Sequence, residues 1–251
     1  MVKYVLKRLL LMLFTLFIIV TICFMLIRML PRELPTDKVL AQVIQARWEA
    51  LGYNEPLLTQ FGIYLKNIVT SWDFGTSWYI AFRQPAWDVL ISRLLPTILV
   101  NLYSLLFSIP IGIALGIYAA VKKNKWQDHT ISTVVMLFVS VPSFVYAFVL
   151  QYFGSKIGLP VTVASASSAG GYFTGTMFVS MILPILALSF GSIASLARFT
   201  RAELTESLTS DYMLLARAKG LTKGQAVFRH ALKNAMVPIL PTIVAMFVSI
   251  L

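Results

Sequence analysis

Residues 97–121 read TILVNLYSLLFSIPIGIALGIYAAV, twenty-five consecutive positions without Asp, Glu, Lys, Arg or His. A bilayer core of roughly 30 Å needs about 20 apolar residues as helix. The stretch therefore predicts a membrane crossing. Similar runs occupy Leu9–Leu30, Ile131–Phe153 and Met177–Ala197. A fifth starts at Val237 and is still apolar at Leu251. That last run makes only about 22 Å of helix, short of a crossing, so a C-terminal continuation is expected. Composition agrees: 58% of the 251 residues are hydrophobic, 12% are charged, and mean hydropathy is +0.80. Soluble domains carry roughly 25% charge, so disordered and ordinary water-soluble classes are excluded. The single cysteine, Cys23, reads as a buried small hydrophobe. It excludes an intrachain disulfide or Cys-cluster metal site. His129 and His230 leave little for a histidine-based centre.

The net charge of +11 reads as orientation. Lys3, Lys7 and Arg8 precede the first run with no small-residue cleavage site after it, which predicts a retained helix with a cytoplasmic N-terminus. The inside segments are then 1–8, 122–130 and 198–236. They hold 13 of the 21 basic residues, as the positive-inside rule expects. No nucleic-acid partner is needed to explain the charge. The chain divides into an N-terminal span (1–30), an extracellular loop (31–96) and a core (97–251).

The loop predicts two short amphipathic helices. Val39, Leu40, Val43, Ile44, Arg47, Trp48 and Leu51 recur at helical spacing, with Gly52 as the stop. Leu57, Leu58, Phe61, Leu65, Ile68 and Val69 follow Pro56, which suits a first helical position. Trp72, Trp78, Tyr79 and Trp87 suit an interfacial aromatic belt. The loop reads as an anchored cap or as a substrate-contacting surface. Arg28, at the end of the first run, either lines the outer mouth or snorkels to the interface.

Segment 198–236 is the most specific. Ser210 or Asp211 can cap a short helix over Tyr212–Lys219; Gly220 suits a left-handed turn, with Leu221 making the apolar contact after it. Thr222-Lys223-Gly224-Gln225 is a capping-box pattern that starts a second helix running toward Asn234, with Pro238 and Pro241 beyond it. Leu214, Leu215, Ala216 and Ala218, flanked by Arg217 and Lys219, are expected to form an exposed apolar knob. Two readings remain open: a knob docking in a groove of a cytoplasmic partner, or a helix pair lying on lipid with its basic residues at the phosphates.

The spans lack machinery for acid–base work. Between Ile157 and Ala197 no side chain but tyrosine ionises. Ion-coupled carriers and intramembrane enzymes place carboxylates or histidines there. Small and polar residues take their place. Asn101, Ser104, Ser108, Gly112 and Gly116 form one stripe, and Ser140, Pro142, Ser143, Gln151, Pro184, Ser189, Ser192 and Ser195 follow. They fit helix packing, with Gly112-x-x-x-Gly116 allowing close approach, or an uncharged translocation path powered from elsewhere. The path candidates are Asn101, Ser104, Ser108, Ser140, Ser143, Ser189 and Ser192.

Tyr212-Met-Leu-Leu-Ala-Arg-Ala-Lys-Gly-Leu221, followed by Arg229-His-Ala-Leu-Lys-Asn-Ala235, resembles the cytoplasmic coupling segment of ABC-importer permeases of the dipeptide/oligopeptide/nickel branch. Gly52-Tyr-Asn-Glu-Pro56, Asp73-Phe-Gly-Thr-Ser77 through Arg93-Leu-Leu-Pro-Thr97, and Lys125-Trp-Gln-Asp128 with Val141-Pro-Ser-Phe144 extend the resemblance over the whole chain. Two positions depart from the general importer pattern. Leu214-Leu215-Ala216 stands where Glu-Ala-Ala is usual, and Leu232-Lys233 where Leu-Pro is usual; the peptide/nickel branch shares these departures.

The resemblance implies an all-α polytopic membrane protein of the type I ABC-importer fold, with at least five spans here and a sixth beyond Leu251. It implies a bacterial or archaeal plasma membrane, a second homologous permease, two cytoplasmic ATPase subunits and an extracellular substrate-binding protein. The coupling residues would be Asp211, Tyr212, Leu214, Leu215, Ala216, Arg217, Ala218, Lys219, Gly220, Leu221 and His230. The cargo would be peptides, or alternatively nickel chelates, glutathione or another small solute. No cofactor is expected on this chain. ATP and Mg would sit on the ATPases, since no Gly-x-x-x-x-Gly-Lys-Ser/Thr loop occurs here. The rivals are a self-contained channel, which leaves the helix–Gly–helix segment unexplained, and a membrane enzyme, which lacks titratable groups.

Overall fold

The computed structural model describes residues 2–30, 34, 36, 38–50, 52–77 and 80–250. Leu51, Trp78 and Tyr79, named above, lie outside the described residues. Contacts divide the chain into two units, Met1–Ile91 and Ser92–Leu251.

In the first unit, α1 (Val2–Met29) carries the first apolar run; α2 (Lys38–Ala50) and α3 (Leu57–Ser71) are the two amphipathic helices. Phe24 is the buried residue of α1. Its ring lies 5.2 Å from those of Phe61 and Tyr64 on α3, and Phe17 lies 5.9 Å from Phe61. Most of α1 outside that stripe is exposed, Cys23 included, which corrects its reading as a buried residue. A helix contacting its own chain along one aromatic edge leaves the remainder to lipid. The Arg28 guanidinium lies 3.4 Å from the Tyr53 ring centroid. Gly52 ends the first amphipathic segment at φ +68, and Pro56 is the N-cap of α3 rather than its first helical residue. The buried Gln60 amide donates to the Tyr53 and Glu55 carbonyls at 3.0 and 2.7 Å, tying the turn to α3. Trp72 and Trp87 pack with Phe74, all centroids within 5.3 Å, so these aromatics form a cluster. A two-residue ladder pairs Thr76–Ser77 with Gln84–Pro85 (β1, β2).

The remaining helices are α4 (Ala86–Val121), α5 (Trp126–Ser140), α6 (Ser143–Lys156), α7 (Ala166–Ala169), α8 (Gly175–Leu208), α9 (Asp211–Ala218), α10 (Lys223–Ala226) and α11 (Leu232–Val248). A π-helical turn, Val227–Ala231, joins α10 to α11. Among the described residues, four helices are long and apolar enough to cross a membrane, namely α1, α4, α8 and the continuous 223–248 helix; the α5–α6 pair passes the same test together.

Three boundaries differ from the sequence reading. First, α4 starts at Ala86 rather than Thr97, so its 36 residues reach well past the hydrocarbon. Asp88 in its first turn suits the helix dipole there. Second, the third span is not one helix: α5 and α6 meet at 99°. Pro142 disfavours helical backbone at Val141, which is extended at φ −91, ψ 127, and Pro142 then caps α6. Third, the helix starting at Lys223 does not stop before the prolines. It continues to Val248 with Pro238 and Pro241 inside it. Membrane helices tolerate interior proline where neighbouring groups and local backbone adjustment accommodate the missing N–H.

Helix α8 is the hub, packed by α5, α6 and α11. It approaches α4 at two glycines. A Cβ on Gly116 would meet Thr200 Cβ at 2.5 Å and the Ala197 carbonyl at 2.7 Å; one on Gly112 would meet Leu196 Cβ at 3.0 Å. Bare backbone is what lets these helices touch. Where α5 begins, Asp128 is 1% exposed and takes a bidentate pair from Arg201 of α8, with Nε–Oδ1 2.5 Å and Nη2–Oδ2 2.7 Å. The Asn124 backbone N–H donates to the same carboxylate at 2.9 Å.

Candidate functional site

The helix–turn–helix read in segment 198–236 is formed by local chemistry. Helix α8 runs to Leu208, and α9 follows after Thr209 and Ser210. Ser210 is the N-cap residue but makes no side-chain cap; its hydroxyl donates back to the Ser207 carbonyl at 2.6 Å. Gly220 adopts φ +85. The Leu221 N–H reaches the Ala216 carbonyl at 3.3 Å and the Gly220 N–H reaches the Arg217 carbonyl at 3.0 Å, the paired bonds of a Schellman turn. Thr222 and Gln225 then form a reciprocal capping box. Both sides of the turn are thereby fixed.

The two faces of α9 differ. Met213 and Ala216 are buried in a cluster with Leu204, Ala226, Ala231 and Ala235. Ala216 is therefore part of the anchor and not of an exposed knob, because its position at i+3 from Met213 puts both on the inner face. Leu214 is 65% and Leu215 57% exposed, and Asp211, Tyr212, Arg217, Ala218, Lys219 and Gly220 share that outer surface, with Leu221 partly buried behind it. Partial burial pushes the Tyr212 phenol up, but hydrogen bonds with Ser207, Ser210 and Asn234 outweigh it, and its pKa lies below the ordinary value. His230 is exposed within the π-helical turn. Beside Leu214, a recess of about 310 Å³ is lined by Lys123, Lys125, Arg217 and Lys223 with no carboxylate among its lining residues.

The small polar residues of the spans separate into two groups. Ser104, Ser108 and Ser189 are buried between α4 and α8. The Ser104 and Ser189 hydroxyls are 3.1 Å apart; Ser108 donates to the Ser104 carbonyl at 2.6 Å and Ser189 to the Ile185 carbonyl at 2.6 Å. Within this chain they join helices. Ser140 and Ser143, by contrast, are exposed on either side of the α5–α6 break, and Asn101 and Ser192 are partly exposed. Asn101 donates to the Thr97 carbonyl at 2.9 Å and Ser192 to the Leu188 carbonyl at 3.4 Å. Sequence reasoning missed the Asp128–Arg201 clasp, whose partners are 73 residues apart. Among the described residues no group of three or more His, Cys, Asp or Glu could hold a metal ion.

A polytopic, predominantly helical membrane protein, with a helix–turn–helix between α8 and the 223–248 helix and no Asp, Glu, Lys, Arg or His from Ile157 to Ala197, fits the class of membrane transport subunits. The comparisons give the family. Residues 112–251 match the family described as binding-protein-dependent transport system inner membrane component, and residues 1–101 match its N-terminal companion. The glutathione transport system permease protein GsiC of Escherichia coli (strain K12) is 37% identical over 244 residues, covering 95% of this chain and 76% of that protein. The protein of the same name from Shigella flexneri serotype 5b (strain 8401) shows the same identity and coverage, and that from Shigella boydii serotype 4 (strain Sb227) is 36% identical. The chain belongs to this family of ABC-importer permeases: it is a transport subunit and not an enzyme.

Proposed function

We propose that this chain forms half of an ATP-driven import path for short peptides across a bacterial plasma membrane. It pairs with a second homologous permease and receives substrate from an extracellular binding protein. Two cytoplasmic ATPases bind ATP and Mg and dock on α9. The observation that carries this reading is the exposed Leu214–Leu215 pair, held on a short helix whose far end is locked by the Gly220 turn and the Thr222–Gln225 box. Such a helix transmits force as a rigid body: motion of the ATPases displaces α9, and the buried Met213 and Ala216 carry it into α11 and α8. With the bent α5–α6 pair counted as a crossing, α9 lies on the same side as the N-terminus, the side favoured by the basic residues. Ser140 and Ser143 are exposed on either side of the break at Val141–Pro142, and interrupted helices in membranes occur where they line a cavity or are buried in protein, which supports a place for them on the path.

A second reading of the cargo rests on the relatives, whose names specify glutathione. Glutathione is itself a small peptide with free carboxylates, so the two readings share their chemistry. The test is uptake by the reconstituted complex in proteoliposomes with lumenal ATP. Accumulation of labelled tripeptide or glutathione, abolished without ATP, supports the reading; transport of nickel chelates alone refutes it.

A further inference from the structure

The structure assigns Arg93 as the residue that receives a substrate carboxylate at the outer half of the path, an inference that rests on the peptide reading above. A recess of about 750 Å³ lies between α4, α8 and the segment around α7. That volume falls within the roughly 300–1,000 Å³ of small-molecule sites. Its polar lining includes Arg93, Thr97, Asn101, Ser165, Ser167 and Tyr172, with apolar walls between them. Arg93 is the one charged side chain among its lining residues. Among the described residues Arg93 has no carboxylate in ion-pair range; the ion pair found there is Arg201–Asp128.

Hydrogen bonds along α4 and burial one turn further on hold the backbone that carries Arg93. Thr97 Oγ1 donates to the Arg93 carbonyl at 2.8 Å and Asn101 Nδ2 to the Thr97 carbonyl at 2.9 Å, so three residues spaced four apart bond along one face of α4. One turn further on, Leu99 and Val100 are buried in a cluster with Met177, Met181 and Ile185 of α8. The other wall is also fixed. The Ala164 N–H donates to Ser180 Oγ at 3.0 Å, and Ser165 caps α7. Arg93 is exposed at the rim of this otherwise uncharged recess, and a guanidinium recognises a planar oxyanion by a two-pronged hydrogen bond. A C-terminal carboxylate is that group on a peptide. Arg93 lies in the outside segment, so it meets cargo on entry and before the uncharged stretch that follows, which holds no basic residue until Lys122.

The test uses the complete transporter in proteoliposomes and two labelled tripeptides that differ only in a free or amidated C-terminus. Each variant is expressed as a ratio to the wild type for the same peptide, which cancels discrimination by the binding protein. Arg93→Gln is expected to cut uptake of the free acid by at least about tenfold, the low end for one charge-assisted hydrogen bond, and to leave any uptake of the amide unchanged. Arg93→Lys, which keeps the charge but loses the fork, is expected to recover part of the acid uptake. The inference is overturned if Arg93→Gln carries the acid as the wild type does, or if Gln and Lys variants lose both peptides alike while ATPase subunits still co-purify. A wild-type complex that moves neither peptide overturns the peptide reading itself, and the assignment of Arg93 with it.

Discussion

Replacing Gly220 isolates the turn from everything around it. Its φ is +85, and a Cβ built there meets no atom within 4 Å. The cost of a side chain is therefore conformational and not steric. A left-handed backbone costs an ordinary L-residue about 1–2 kcal/mol, and a β-branched one more. The two turn bonds it would disturb, Leu221 to Ala216 and Gly220 to Arg217, are worth about 0.5–1.5 kcal/mol each. Strain and restraint are thus comparable, and Gly220→Val is expected to unravel the end of α9. Since about 1.4 kcal/mol is tenfold in an equilibrium, the docked arrangement should lose roughly tenfold or more in population. The protein should insert normally, because the transmembrane core does not contact this position. Gly220→Asn, which tolerates the left-handed region, should stay close to wild type, with Gly220→Ala between them. The assay is ATP-driven uptake at matched membrane abundance, together with stimulation of ATP hydrolysis by the binding protein. Wild-type transport by Gly220→Val refutes the argument, and so does an Asn variant as impaired as Val, since that would make bulk rather than backbone angle the determinant.

Asp128→Asn should destabilise the α5–α8 junction. Removing one partner of a buried pair costs about 3–5 kcal/mol; the Arg201 side chain is 33% exposed, so the low end is expected. Thermal unfolding in detergent of the two single variants and of Asp128→Asn/Arg201→Gln reads the coupling, and strictly additive losses would contradict a clasp. Gly116→Val should lower the melting temperature by overpacking against Thr200 and the Ala197 carbonyl, at a cost of about 1–3 kcal/mol. Gly224→Ala, where nothing lies within 4 Å of an added Cβ, is the control expected to melt like the wild type.

What could be read in the sequence was whatever a few adjacent residues decide. Gly220 and the Thr222–Gln225 box sit three to five positions from the groups they satisfy, so composition and spacing suffice. The apolar runs were legible for the same reason. Hydropathy, however, carries no backbone angles: Val141-Pro142 lies inside an apolar run, yet the restriction that proline places on its predecessor turns the chain through 99°. It likewise could not say that Pro238 and Pro241 lie within one continuous helix. The serines expose a second limit. Ser104 and Ser189 share a buried contact across 85 residues of sequence, whereas Ser140 and Ser143 are exposed. A polar residue in an apolar run looks the same in both cases until the partner helix is placed. Asp128 and Arg201 are invisible as a pair for that reason too, each reading as one more charge in a basic cytoplasmic segment. Ala216 falls on the inner stripe because α9 packs against α10 and the π-helical turn, contacts that the knob's own sequence does not reveal.

In the proposed function this chain works as one subunit of a larger machine, coupled through the outer face of α9. Quantitative mass spectrometry of what co-purifies with the protein in mild detergent tests it most directly, comparing wild type with a Leu214→Glu/Leu215→Glu variant. The account predicts a second permease and ATPase subunits with the wild type. The variant should retain the permease and lose most of the ATPase, since the substituted leucines are exposed in this chain and available to a partner. A wild-type chain that purifies alone, and carries solute in liposomes without ATP, would contradict it.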